Sequence, residues 1–147
     1  MGAMAEVGRT FAAGIAELLF KVAVSRGADP AALAELSGVD PRLFADQDAR
    51  LPFSLYAALM RAGKKLTGDA ALALHFGEAA ELSEISVVGL IGAASGSVLE
   101  GLEQLNRYSR LVVDVEAPKS GRFVIESDVD GQFLVDARAS PNEFYEL

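Results

Sequence analysis

The sequence predicts an α+β domain, an N-terminal helical layer followed by a small antiparallel β-sheet arranged as a meander. Three observations carry that expectation. Apolar residues recur at helical spacing from Thr10 to Leu111, the period shortens to that of strands after Val112, and compact turn signals separate the final segments. The 147 residues are 51% hydrophobic and 23% charged, a balance that suits one core-forming domain and argues against disorder.

Over residues 10–26, Phe11, Ile15, Leu18, Leu19 and Val22 share one helical face. Gly27 suits the position after a helix end, where the left-handed conformation costs glycine nothing. Asp29-Pro30 offers an N-cap and a first-turn proline to a helix over 30–36, which Gly38 stops. Asp40-Pro41 repeats the signal for one turn more, to about Ala45. Pro52 or Ser54 opens a longer helix to Leu66 with Leu55, Leu59 and Ala62 inward, and Gly68 ends it. Asp69 caps a helix to about Ala80 carrying Leu72, Leu74 and Phe76, and Ser83 or Ser86 begins another through Val88 and Ile91. The break at 95–97 starts the best-patterned helix, to about Leu111. Val98, Leu102, Leu105 and Tyr108 form its apolar stripe, and Glu100, Glu103, Arg107 and Arg110 its wet side. Residues 112–117, 122–127 and 132–139 then read as strands. Turns at 118–121 and 128–131 are too short for parallel crossovers, so the three strands pair antiparallel.

The formal charge is −8, from 21 acidic and 13 basic residues. Nucleic-acid binding relies on lysine and arginine displacing counterions from phosphates, so an acidic chain without a basic run is unsuited to bind DNA itself. Without cysteine there is no disulfide, thiolate nucleophile or thiolate metal site, a composition that fits the cytoplasm. No apolar run approaches the ~20 residues that span a bilayer, and no membrane partner is expected. Met1-Gly2-Ala3-Met4 lacks the basic segment and long apolar core of a signal peptide, and residues 1–3 read as an expression-derived addition.

Candidate chemistry is sparse. His75 is the one histidine, flanked by Leu74 and Phe76 with no recognisable partner motif, which points to a packing or surface histidine. No metal or cofactor is expected. Glu126, Asp128, Asp130 and Gly131 look superficially like a calcium loop, but the twelfth position is Ala137 where a bidentate glutamate is required; a hairpin turn explains them better. Gly89, Gly92 and Gly96 lack dinucleotide-binding spacing; the first two suit close helix approach and the third a chain break. Arg61, Lys64 and Lys65 form the local basic cluster, placed where cations complement a helix C-terminus, with an acidic-effector site as the rival reading.

An ordered series of short strings runs along the chain. It comprises Arg26-Gly27-Ala28-Asp29-Pro30, Gly38-Val39-Asp40-Pro41, Ala49-Arg50-Leu51-Pro52, Leu66-Thr67-Gly68-Asp69, Phe76-Gly77-Glu78 and Asn106-Arg107-Tyr108-Ser109-Arg110. Together they resemble the N-terminal, non-cupin effector-binding (arabinose-binding-type) domain of AraC-type transcription regulators. His75 departs from that pattern, which favours arginine or another polar residue there. The resemblance implies a non-enzymatic cytoplasmic domain over residues 1–147 that binds a small-molecule effector, forms a homodimer, and controls DNA binding by a helix-turn-helix domain beyond its own end. Packing helices on one sheet face suggests Phe76, Ile91, Tyr108 and Phe133 as effector-binding residues. Phe133 shares a strand face with Val135, and Phe123 with Ile125, so either face of the sheet could turn inward. Rival readings are a structural dimerisation module without an effector site, and a small enzyme using paired carboxylates, for which no pair is positioned.

Overall fold

The chain enters through a short strand, β1 (Thr10–Ala12), where the spacing predicts a helix. The structure is a computed structural model describing residues 9–114 and 121–137. Phe11 fits the helical stripe, but strand partners on both sides claim the backbone at 10–12. β1 pairs antiparallel with β2 (Arg50–Pro52), Phe11 opposite Leu51. On its other edge the Ala12 amide donates to the Val112 carbonyl at 2.7 Å, the Asp114 amide donates to the Thr10 carbonyl at 2.8 Å, and Val113 bridges Phe11. The Arg50 guanidinium ties this ribbon together, donating to the carbonyls of Thr10 at 3.0 Å and Leu111 at 2.7 Å.

Helix α1 (Ala13–Ser25) follows and is buried at Ala13, Gly14, Ile15, Ala16, Leu19, Val22 and Ala23. Around it stand α2 (Pro30–Ser37), a 3-10 turn (Pro41–Ala45), α3 (Phe53–Thr67) and α4 (Leu72–Ala79). Their ends follow the expected chemistry. Asp29 accepts from the Ala32 amide at 2.8 Å and Asp40 from the Arg42 amide at 3.0 Å, while Gly38 and Gly68 close α2 and α3 at φ of 72° and 68°. The core joins Leu19 and Leu33 to Leu59, Met60 and Leu72 with almost no exposure, each such side chain contributing about 1.5–3 kcal/mol by leaving water. Tyr56 sits among aromatic rings, its centroid 5.5 Å from that of Phe11 and 6.5 Å from that of Phe76.

Two short helices, α5 (Leu82–Ile85) and α6 (Val87–Ala93), lead to α7 (Val98–Tyr108) and a 3-10 turn (Ser109–Leu111). Ser86 caps α6 through the Gly89 amide at 3.1 Å. At α7 the Ser97 hydroxyl accepts from the Glu100 amide and the Glu100 carboxylate accepts from the Gly96 amide, a reciprocal cap. The strands β3 (Phe123–Asp128) and β4 (Gly131–Asp136) form an antiparallel hairpin, with Asp128 accepting from the Asp130 and Gly131 amides inside the turn. The domain is thus α+β as the sequence indicates, with a difference in pairing. The segment opening at Val112 bridges β1, so the described strands form two separate two-stranded sheets. Residues 115–117, most of the 118–121 turn, and 138–139 lie outside the described residues.

Of the two α6 glycines singled out in the sequence, Gly92 is not a point of close approach, whereas Gly14 of α1 is. A Cβ at Gly92 would meet open space, whereas one on Gly14 would stand 2.6 Å from the Ile85 carbonyl oxygen. That neighbour is backbone and cannot swing aside. Gly14→Ala is therefore expected to destabilise the domain by about 1–3 kcal/mol, the usual cost of overpacking. Urea unfolding checks this; an unchanged midpoint would show that α1 and α5 separate freely.

Candidate functional site

A cavity of about 320 Å³ lies where α1, α4 and α6 face the end of α7 and the start of β3. Ile15 of α1 and Ala73, Phe76 and Gly77 of α4 form one wall. Ile85, Ser86, Val88 and Gly89 form a second, with Val88 fully buried. Leu105, Ser109, Val112 and Val113 approach from α7 and the turn after it, and Arg122 and Phe123 close the far side. Phe76 is steadied from behind by the Tyr56 ring.

The closing side is held by a side chain acting as a strand. Asn106 donates from Nδ2 to the Phe123 carbonyl at 2.7 Å and accepts from the Phe123 amide at 2.9 Å through Oδ1. Both backbone groups of Phe123 are thereby satisfied by α7, as a neighbouring strand would satisfy them. Gly121 makes room for this contact. At φ 104° it adopts a conformation L side chains rarely take, and a Cβ there would lie 2.5 Å from the Asn106 side chain.

Arg122 is the charged group on the wall, only 8% exposed. Its Nη2 donates to Asp136 Oδ2 at 3.0 Å across the hairpin, and its guanidinium carbon stands 4.8 Å from the Phe123 ring centroid. A buried arginine needs such a counter-charge, and the stacked, ion-paired geometry holds Arg122 against the cavity.

Of the residues proposed from sequence, the structure places Phe76 on the wall. Ile91 on α6, Tyr108 at the end of α7 and Phe133 on β4 are not among the lining residues. Tyr108 is partly buried and precedes Ser109, which does line the cavity. Phe133 is 47% exposed and pairs with Glu126, on the opposite hairpin face from Phe123. Phe123 lines the cavity, but Ile125 and Leu134 on its face are exposed and Val124 and Val135 on the other are half-buried, so the site takes the start of β3 rather than one whole face. Arg122, Phe123, Ser109, Val88 and Ile15 were not anticipated, since packing between distant helices leaves no local spacing signal.

His75 is held elsewhere. Its Nδ1 lies 2.8 Å from Asp69 Oδ2, and Arg26 at the end of α1 donates to the same oxygen. Asp69 also accepts from the Ala71 amide at 2.9 Å. The histidine thus helps lock the start of α4 to the end of α1. Desolvation opposes the charge on Asp69, but hydrogen bonds from His75, Arg26 and the Ala71 amide, with the charge of Arg26, hold its carboxyl below the usual 3.8.

An apolar cavity walled by helices and closed by the start of a hairpin has the anatomy of a small-molecule binding site. The family described as the arabinose-binding domain of AraC transcription regulator, N-terminal, matches residues 27–145, and the chain belongs to that family. It is a regulatory domain family of transcription regulators, not a family of enzymes. Comparison with curated proteins gives no match.

Replacing Asn106 with Leu leaves the Phe123 amide and carbonyl without their partners and is expected to cost about 1–3 kcal/mol. Hydrogen exchange at the Phe123 amide should accelerate well beyond the change at Leu59; equal protection in both forms would contradict the bridging role. Because the Asp69 pKa is lowered on folding, its contribution is complete above 3.8 and disappears as pH falls below that value. The stability gap between the parent chain and Asp69→Asn should therefore shrink in acid. Urea titrations from neutral pH to about pH 3 test this, and a gap independent of pH would remove Asp69 as an electrostatic tie.

Proposed function

We propose that this domain binds a small-molecule effector in the cavity between Phe76 and Phe123 and thereby regulates transcription through a separate DNA-binding domain. The carrying observation is the cavity itself, about 320 Å³ at the junction of helices and hairpin in a member of an effector-binding family. Its volume falls in the range of sites that enclose small ligands. A molecule there would touch α1, α4, α6, α7 and β3 at once, and so would couple the hairpin to the helical core. The acidic surface supports leaving DNA contacts to another domain, a helix-turn-helix unit in AraC-type regulators. Among the described residues no helix is long and apolar enough to cross a membrane, which is compatible with action in the cytoplasm.

Homodimer formation is part of the proposal. Val98 is 80% exposed, and Leu99, Phe133 and Leu134 are also open to solvent. Apolar side chains left exposed on α7 and on the hairpin support association. Without effector binding, the same surface would favour a dimerisation module.

Thermal-shift screening against small metabolites should yield a hit, and Phe76→Ala should weaken that hit at least about tenfold, equivalent to 1.4 kcal/mol of lost contact. Unchanged affinity would take the cavity out of the proposal. Sedimentation across concentrations should show a monomer–dimer equilibrium; a monomer throughout would contradict dimerisation.

A further inference from the structure

We infer that the effector is an uncharged, mainly apolar molecule of about ten heavy atoms with one hydrogen-bonding end, and is not a sugar. This inference rests on the effector reading of the cavity. The size follows from volume, since 320 Å³ corresponds to roughly ten water-sized groups at about 30 Å³ each.

The chemistry follows from the described wall. Ile15, Phe76, Val88, Leu105 and Phe123 present hydrocarbon from four sides. A sugar of this size carries a hydroxyl on nearly every carbon, and each must exchange water for a protein partner or lose its hydrogen bond. Three lining residues have polar side chains, and two of them are partly engaged, Ser86 as an acceptor only. The Ser86 hydroxyl caps α6, and Arg122 is bound to Asp136 and stacked on Phe123. The Ser109 hydroxyl makes no hydrogen bond among the described residues, so it is placed to meet one polar group of a ligand.

Charge selects in the same direction. Arg122 and Asp136 neutralise each other, so the pair offers an anionic ligand little net charge attraction. A cation finds no acidic side chain among the described lining residues. Straight-chain alcohols, ketones and small phenols fit this combination of an apolar body and a single polar end.

Calorimetric titration of the 147-residue chain with 1-alkanols from butanol to dodecanol tests the class, with L-arabinose and octanoate alongside. Affinity should rise about fourfold per added methylene, the gain from one buried CH₂, and level off near ten heavy atoms. Octanoate should bind more weakly than octanol, and L-arabinose not measurably. Ala73→Leu narrows the cavity and should move the plateau to shorter alcohols. Tighter binding of L-arabinose or octanoate than of octanol, lost in Phe76→Ala, would overturn the apolar class and leave the effector site standing. An alkanol series indifferent to both Ala73→Leu and Phe76→Ala would overturn the assignment to this cavity. Absence of binding by every probe would overturn the class, while the effector reading is decided separately by the metabolite screen and Phe76→Ala.

Discussion

Burial of α1 is the constraint on which the other elements depend. The helix is wrapped by α2, α3, α4, α5 and the first 3-10 turn, and small residues make the wrapping possible. Gly14 admits the carbonyl of Ile85, and Gly63 of α3 comes close enough to Ala23 that an added Cβ would stand 3.4 Å from its methyl. Dense packing of this kind fixes where α4 and α5 lie, because both rest directly on α1. α7 is different, having no fully buried residue. The cavity occupies the space between the close-packed helices and this looser one, beside Ile15 where the α1 surface becomes bulkier.

What keeps that space defined is polar and local. Asn106 holds the backbone of Phe123, Gly121 gives Asn106 room, and Asp136 fixes Arg122 against the same ring. On the opposite side, Asp69 gathers Arg26 and His75 and fixes the entry to α4. Apolar packing supplies most of the stability of such a domain, but it is non-directional. The hydrogen-bonded ties determine which apolar faces look at one another across the cavity.

Helix ends were legible in the sequence because capping is a property of neighbouring residues. Asp29 with Pro30, Asp40 with Pro41, Ser86, Gly38 and Gly68 occupy the expected positions. The hairpin around Asp128 and Gly131 was legible for the same reason. β1 was not, since three residues of extended chain ahead of a helix have no period of their own and Phe11 continues the helical stripe by chance. The partner of Val113 was equally hidden, because it lies more than a hundred residues earlier, at Phe11. The site divides along that line. Phe76 could be proposed from its helix, whereas the placement of Phe123 depends on Asn106, a contact across 17 residues. Phe133 and Phe123 alternate identically with their neighbours, so only tertiary docking distinguishes them.

The most direct test of an apolar effector site is amide chemical-shift mapping of the labelled domain during addition of 1-octanol. Saturable shifts clustered at Ala73, Val88, Leu105, Ser109 and Phe123, with Leu36 of α2 and Arg61 of α3, which line a separate pocket, unmoved, are the expected result. Shifts centred on Leu36, Arg61 and Lys65, or spread over the exposed hairpin without saturation, would contradict binding in the cavity beside Phe76.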